Sequence, residues 1–460
     1  MLAFEDYSWP MKNPEHRPFK HQKETVIFLI NNKHAYNFSD LGTGKTMSAL
    51  WACDLLFCNQ KIRKVLIIAP LSTLQAVWGR EIFDNLPHRK YRIAHGTREQ
   101  RINAINSDAD FVIINHDGVT IVEEEIIKQK FDIIIIDELT AFKKHTNNRT
   151  KSMIRITKSC KAVWGMTGEP TPNSPTEAFG QAKVVNPYNK FLPKYFSAFR
   201  QLVEVQVGPY TWLPTKNAAE IVHHILQPSI RFERDKCIDI PPCQYQNIEV
   251  EFTDEQKIAY KKMKDELILE YQNGLITASN AAVKFSKLLQ IAAGSVKDDV
   301  GNVIKFDSSS RDIELWKIFE DTKKTKLVVF CAFRASIFHL EEFFTKKGAK
   351  VGCIYGGVDH NKRNYLINEF QNGDLQILII QPQSSAHGIT LTAANVVVWY
   401  SLIASGEIYN QANGRITRAG QTRKQLIIHL IGCKAEQRLL DILADKSKMS
   451  KNILNMFIDL

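Results

Sequence analysis

The sequence predicts an α/β protein of two lobes, each built on a parallel sheet, with helical insertions between and within them. Three observations carry this expectation. Short apolar runs rich in β-branched residues alternate with helical patterns from about residue 20 to 185, and a second series of the same kind begins near Lys326. The stretch between the two is aromatic and without clear period at first, then helical. Unbroken apolar runs suit strands buried on both faces, as in a parallel sheet covered by helices.

In the first series Val65 to Ala69, Phe111 to Ile114 and Ile133 to Ile136 read as strands, each followed by a polar turn, and Thr46 to Phe57 reads as a helix. In the second series the strand candidates are Leu327 to Cys331, Val351 to Tyr355, Ile377 to Ile380, Val396 to Tyr400 and Leu426 to Leu430. The two series share no evident sequence repeat. Residues 1–240 are therefore expected to form one lobe with a helical insertion near 188–230, and residues 241–460 a second with a helical insertion near 253–295. Thr253 to Ala293 reads as long helices interrupted near Asn273 and Gly274. The Pro241, Pro242 pair favours an extended connection and is the candidate hinge.

The chain has 60 Lys and Arg against 49 Asp and Glu, a formal charge of +11, which favours an acidic partner such as nucleic acid. Its eight cysteines form no CxxC pair and have no histidine pair at zinc spacing, so they read as reduced thiols. Met1 to Pro10 lacks a basic start followed by an apolar run, and no stretch approaches the length of a membrane span. A soluble, cytoplasmic protein with no membrane partner is expected.

Gly42-Thr43-Gly44-Lys45-Thr46 follows a polar stretch and opens a helical pattern. Backbone N–H groups at a helix N-terminus can cradle phosphate, and close approach of the phosphate requires glycine. Lys45 is expected to hold the outer phosphates and Thr46 a magnesium ion. Ser39 stands where the general P-loop pattern has its first glycine. Downstream, the apolar run Ile133 to Ile136 ends in Asp137 and Glu138. A strand end aims the first carboxylate at a metal and lets the second reach an attacking water. Asp137 is the expected magnesium-side ligand and Glu138 the general base, and the two motifs together point to hydrolysis of ATP or GTP.

The order of the remaining motifs resembles the Swi/Snf-related ATPases of helicase superfamily two, over residues 17 to about 440. Phe19-Lys20-His21-Gln22 looks like the segment in which a glutamine reads adenine, so the resemblance implies that Gln22 selects ATP. Ser39 to Thr46 is similar to that family's P-loop. Ile67-Ile68-Ala69-Pro70 with Trp78 resembles the strand and helix that contact one nucleic-acid strand. Asp137-Glu138-Leu139-Thr140 matches the acidic motif except that Thr140 replaces the usual histidine. Thr167-Gly168-Glu169-Pro170-Thr171-Pro172-Asn173 resembles the Thr-Gly-Thr-Pro segment that links the acidic motif to the DNA path, with Glu169 as a departure.

In the second lobe Tyr355-Gly356-Gly357, followed by His360-Asn361-Lys362-Arg363, resembles the element that grips a nucleic-acid backbone, and a helix N-terminus beside glycines can contact phosphate. Gln381 to Thr392 occupies the place of the fifth motif, with Ser385, Ala386 and Thr390 in place of its usual glycines and asparagine. This pattern looks closer to short phage-type members. Gln411-Ala412-Asn413-Gly414-Arg415-Ile416-Thr417-Arg418-Ala419-Gly420-Gln421 is very similar to the late arginine motif. Arg415 and Arg418 are three residues apart, so on a helix they share one face and can reach a γ-phosphate held by the opposite lobe.

The resemblance implies two RecA-like lobes that bind ATP and Mg2+ and couple hydrolysis to translocation along DNA, duplex DNA above all, by lobe opening and closing. Two alternatives stay open at this point: a strand-separating DNA or RNA helicase, and a catalytically idle, nucleotide-gated clamp on nucleic acid. Protein partners in a larger DNA-processing assembly are a further expectation, as is the host cytoplasm should the chain be phage-encoded.

Overall fold

The computed structural model describes residues 4–13, 17–208, 212–237, 241–272, 278–298, 300–322, 326–385, 389–418 and 420–455. The chain forms two compact units, one of Met1–Asp239 together with Lys446–Leu460, the other of Ile240–Asp445.

The first unit is built on β1 (His34–Asn37), β2 (Val65–Ala69), β3 (Tyr91–Ala94), β4 (Phe111–Asn115), β5 (Ile133–Asp137) and β6 (Ala162–Met166). A short antiparallel hairpin, β7 (Glu204–Gln206) and β8 (Trp212–Pro214), precedes β9 (Ser229–Ile230). The sheet has the order β3-β4-β2-β5-β6-β1-β9, and every pairing in it is parallel. Side chains alternate between its two faces, as the pleat requires. Leu66, Ile68, Val112, Ile114, Ile134 and Ile136 enter one core, whereas Val65, Ile67, Ala69, Ile113, Ile133 and Ile135 enter the other. Both faces are therefore buried, which is why these strands read as unbroken apolar runs.

The second unit contains β10 (Cys243–Glu249), the hairpin β11 (Ser295–Lys297) and β12 (Val303–Lys305), then β13 (Lys326–Phe330), β14 (Val351–Ile354), β15 (Ile377–Ile380), β16 (Ala394–Trp399) and β17 (Gln425–Ile431). Its main sheet has the order β10-β17-β16-β13-β15-β14 and is again wholly parallel. Val328, Phe330, Leu378, Ile380, Val397 and Trp399 pack on one face; Leu327, Val329, Ile377, Ile379, Val396 and Val398 pack on the other. Arg311 and Glu436 form a bidentate ion pair inside this unit, with side chains 2% and 1% exposed.

Two parallel sheets with both faces covered are the architecture of two RecA-like lobes. The insertion expected to be helical near 188–230 is only partly so. Helices Phe196–Val203 and Ala218–Ile225 flank the hairpin, whose Trp212 carries the Arg200 guanidinium over its ring at 3.7 Å. The insertion near 253–295 consists of helices Asp254–Gln272 and Ala278–Ala292, followed by β11. The expected interruption at Asn273 and Gly274 lies outside the described residues. The carbonyls of Pro241 and Pro242 accept hydrogen bonds from Gln425, at 3.0 Å from its side chain and 3.2 Å from its backbone N–H, so the proline pair continues the β10–β17 pairing. Among the described residues, no helix is long and apolar enough to cross a membrane.

Candidate nucleotide site

In a parallel α/β sheet, ligands bind beyond the carboxyl ends of the strands. Register places two of the predicted elements at that edge. Asn37, the last residue of β1, and Asp137, the last of β5, both lie opposite Met166 of the intervening β6. The two strand ends are therefore level and roughly 10 Å apart, two strand spacings.

The chain leaves β1 as a loop whose glycines take backbone conformations that L-residues rarely adopt: φ is +88° at Gly42 and +82° at Gly44. Gly44 is the N-cap of helix Lys45–Cys58 and, having no side chain, makes no side-chain cap, so the helix N-terminus can be satisfied by a phosphate. Lys45 Nζ donates to the Ser39 carbonyl at 2.6 Å and to the Asp40 carbonyl at 3.0 Å, arching the loop. Thr43 Oγ1 donates to the Asp40 carbonyl at 2.8 Å, and Thr46 follows, half-buried, on the first turn. His21 Nε2 donates to the Thr43 carbonyl at 2.8 Å, which ties helix Lys20–Asn31 to the loop. The Gln22 amide lies directly against Gly44: a Cβ there would stand 2.1 Å from Gln22 Nε2. Gln22 and Gly42 to Thr46 are thus assembled in one place.

Ser39, the departure from the general P-loop pattern, has its own structural use. It is buried, and its hydroxyl accepts a hydrogen bond from the Phe232 N–H at 3.1 Å, a partner glycine could not supply. The Thr167–Asn173 turn lies alongside, since Thr167 N–H donates to the Asn37 carbonyl at 3.1 Å and a Cβ on Gly168 would come within 3.7 Å of Leu41.

Around the acidic pair, the Trp78 indole donates to Asp137 Oδ2 at 3.0 Å, the Glu138 N–H to Asp137 Oδ1 at 3.1 Å, and His116 Nε2 to the Asp137 carbonyl at 2.8 Å. Glu138 has φ +50°, ψ +59°, a left-handed conformation that costs a non-glycine residue about 1 kcal/mol or more and here turns the chain sharply after β5. Trp78, part of the segment that resembles a nucleic-acid-contacting strand and helix, is itself fully buried, and its indole holds Asp137. Trp78 and His116 are partners of the acidic pair that motif reading did not reveal.

These residues fit a nucleotide with magnesium. Among the described residues there is no cluster of three or more His, Cys, Asp or Glu able to cage a metal. Magnesium needs no such cage when it binds through one or two protein oxygens plus phosphate and water, which is what Thr46 and Asp137 can offer.

In the second unit Arg415 and Arg418 are not on a helix. Helix Gly406–Asn413 stops at Gly414, its C-cap, and both arginines lie in the turn beyond. They nevertheless converge: Arg415 Nη1 and Arg418 Nη1 donate to the same Ile389 carbonyl, at 3.4 and 3.1 Å, and Arg418 also reaches Thr390 Oγ1 at 3.0 Å. Arg415 is 5% exposed, and its own carbonyl accepts from the Leu391 N–H at 2.9 Å. Buried Gln421 ties the turn down by donating to the carbonyls of Thr392, Ala394 and Ile416. The late arginine motif is thus pinned to the end of the fifth-motif segment; Ala386, His387, Gly388 and Ala419 lie outside the described residues.

The expected backbone grip at helix His360–Asn372 meets an obstacle. Asp359 caps it, accepting from the N–H groups of Asn361 at 2.9 Å and Lys362 at 3.4 Å, so two donors that a phosphate would use are already bonded. Arg363 donates to the Ser384 carbonyl, and burial lowers its pKa.

Residues 21–298 match the SNF2-related domain, and residues 310–420 match the helicase conserved C-terminal domain. Protein p41 of Acyrthosiphon pisum secondary endosymbiont phage 1 is 26% identical over 98% of this chain and 99% of its own length. The DNA annealing helicase and endonuclease ZRANB3 of Mus musculus is 23% identical over 89% of this chain, which spans only 38% of that protein. The structure of the Sulfolobus solfataricus SWI2/SNF2 ATPase core in complex with dsDNA is 21% identical, with a TM-score of 0.47, and the match covers 98% of this chain and 95% of that one. With more than half of its length matched by one domain family and the nucleotide loop inside that match, the chain belongs to the SNF2-related family, as a helicase-like ATP hydrolase.

Proposed function

We propose that this chain is an ATP-dependent motor that translocates on DNA, duplex DNA above all, by coupling hydrolysis to lobe opening and closing. The observation that carries the reading is the division of labour between the units. The phosphate loop and acidic pair stand at one sheet edge of the first, and two arginines are pinned on one carbonyl of the second. Hydrolysis that draws on residues of both units depends on their approach, and anything that favours approach stimulates it.

In this scheme Gln22 reads the adenine and the N–H groups of Gly42 to Thr46 hold the phosphates. Lys45 leaves its loop carbonyls for the outer phosphates. Thr46 and Asp137 are the protein ligands of magnesium, which when bound neutralises charge on the phosphates. Glu138 orients and deprotonates the attacking water, and Arg415 and Arg418 stabilise charge developing on the γ-phosphate, an effect worth roughly 10³ to 10⁵ in rate. The formal charge of +11 suits a partner bound through its phosphates, with affinity that is salt-sensitive and weakly sequence-specific. The chain is assigned to the cytoplasm, of the host if phage-encoded, and to work with protein partners in a DNA-processing assembly.

The test is displacement of a third strand from a DNA triplex by the purified chain with ATP, beside strand displacement from plain DNA and RNA duplexes. Triplex displacement without duplex unwinding supports the proposal. Unwinding moves the assignment to a helicase, and DNA binding without turnover moves it to an idle clamp.

A further inference from the structure

The nucleotide loop is held from outside by residues of no recognised motif. Residues 228–234 run beside the exit of β1. The N–H groups of Tyr36, Phe38 and Asp40 donate to the carbonyls of Pro228, Ile230 and Phe232 at 3.0, 2.9 and 3.0 Å. The Arg234 N–H donates back to Asp40 Oδ2 at 3.1 Å. Between them Arg231, its side chain 5% exposed, places one guanidinium nitrogen 3.3 Å from Asp40 Oδ1 and another 3.3 Å from the Phe38 carbonyl. Asp40 is the residue whose carbonyl seats both Lys45 Nζ and Thr43 Oγ1.

Orientation passes along this chain of contacts in one direction. The Asp40 carboxylate is gripped by a buried cation and a backbone N–H, which fixes the side chain. Its N–H is fixed by the Phe232 carbonyl, so the peptide before it, which carries the Ser39 carbonyl, is held as well, and Asp40 is anchored on both sides of its Cα. Lys45 then meets the Ser39 carbonyl of that held peptide and, with Thr43, the Asp40 carbonyl beside it, which sets the shape of the loop. A guanidinium suits this place because two separate nitrogens of its planar fork meet the two acceptors, where an ammonium has one nitrogen to share.

We propose that Arg231 is a positioning residue of the nucleotide loop, setting affinity for ATP through the Asp40 carboxylate. The proposal rests on the loop being the ATP site, as proposed above. It touches no reacting atom, so its effect falls on binding rather than on the chemical step.

The experiment measures binding of a fluorescent ATP analogue to the full chain, with KM for ATP and kcat, for wild type, Arg231→Met, Arg231→Lys, Asp40→Asn and the Arg231→Met/Asp40→Asn double variant. Loss of a charge-assisted, buried contact should weaken binding about tenfold in Arg231→Met, with KM rising in parallel and kcat within about twofold. Arg231→Lys falls between Arg231→Met and wild type. Asp40→Asn weakens binding, and the double variant binds no more weakly than Arg231→Met, since the two side chains act through one contact. Binding within about twofold of wild type in a folded Arg231→Met, or additive losses in the double variant, overturns the proposal. Should Arg231→Met fail to fold, unchanged affinity in Asp40→Asn overturns it equally. A wild type that does not bind the analogue sinks the ATP assignment itself, and this inference with it; wild-type binding retained in every variant sinks this inference alone.

Discussion

Gly44→Ala tests the nucleotide loop at its most constrained point. Gly44 has φ +82°, and its Cβ position lies 2.1 Å from Gln22 Nε2. An alanine held in the left-handed region costs roughly 1–2 kcal/mol. The methyl also evicts the Gln22 amide, whose Oε1 accepts from the Phe19 N–H at 2.9 Å. Losing that hydrogen bond costs about 0.5–1.5 kcal/mol. The sum is about 1.5–3.5 kcal/mol, and where it appears depends on the loop. If the variant loop relaxes out of the left-handed region, nucleotide binding must restore it, and ATP affinity falls by roughly 10- to 400-fold. If packing keeps the loop in place, the same energy is lost from folding stability instead. The assay therefore pairs a fluorescent ATP-analogue titration with urea denaturation on one preparation and adds the two losses. A combined loss below about 1 kcal/mol would refute the claim that Gly44 is both conformationally strained and pressed on Gln22.

Three further expectations concern the second unit. Arg311→Met leaves the Glu436 carboxylate buried without its bidentate partner and should lower stability in urea by about 3–5 kcal/mol, much of it recovered in Arg311→Met/Glu436→Leu. His429 is neutral in the fold: burial lowers its pKa from 6.5 to about 4, while its ring nitrogens are paired with Tyr409 OH at 2.8 Å and Asn247 Oδ1 at 2.9 Å. Between those pKa values the unfolded chain binds the extra proton, so stability is full above about 6.5 and falls as pH drops, by about 2 kcal/mol near pH 5. Urea midpoints near pH 7.5 and near pH 5 should show that loss in wild type and a smaller one in His429→Phe; equal losses in both would contradict it. Arg418→Ala should cut kcat by about 10³ while leaving nucleotide affinity nearly unchanged, read by steady-state kinetics beside analogue binding. A fall in affinity with unchanged kcat would reverse the assigned role.

The parts of the fold that were legible are those where physics acts locally. Val65–Ala69, Ile133–Asp137 and Ile377–Ile380 are buried on both faces, and no polar residue interrupts them before their ends. β1 escaped notice because His34–Asn37 is short and carries a histidine and an asparagine, although it is the strand that launches the nucleotide loop. β10 escaped because an edge strand with Gln244, Tyr245, Gln246 and Asn247 largely at the surface has no apolar run to show. Helical spacing for Arg415 and Arg418 was misleading: Gly414 ends the helix, and a tertiary contact with Ile389 brings the two together instead.

The nucleotide site divides the same way. Gly42 to Thr46 could be found because left-handed turns and phosphate approach demand glycine at set positions. What holds the loop and the acidic pair could not. Arg231 meets Asp40, and Trp78 meets Asp137, across long separations in sequence that leave no local period.

The most direct test of the whole account is ATP hydrolysis by the purified chain with no nucleic acid, single-stranded DNA, duplex DNA and RNA, with Glu138→Gln as control. Strong stimulation by duplex DNA is expected, and it disappears in Glu138→Gln while the variant still binds nucleotide. Absence of turnover under every condition would contradict it.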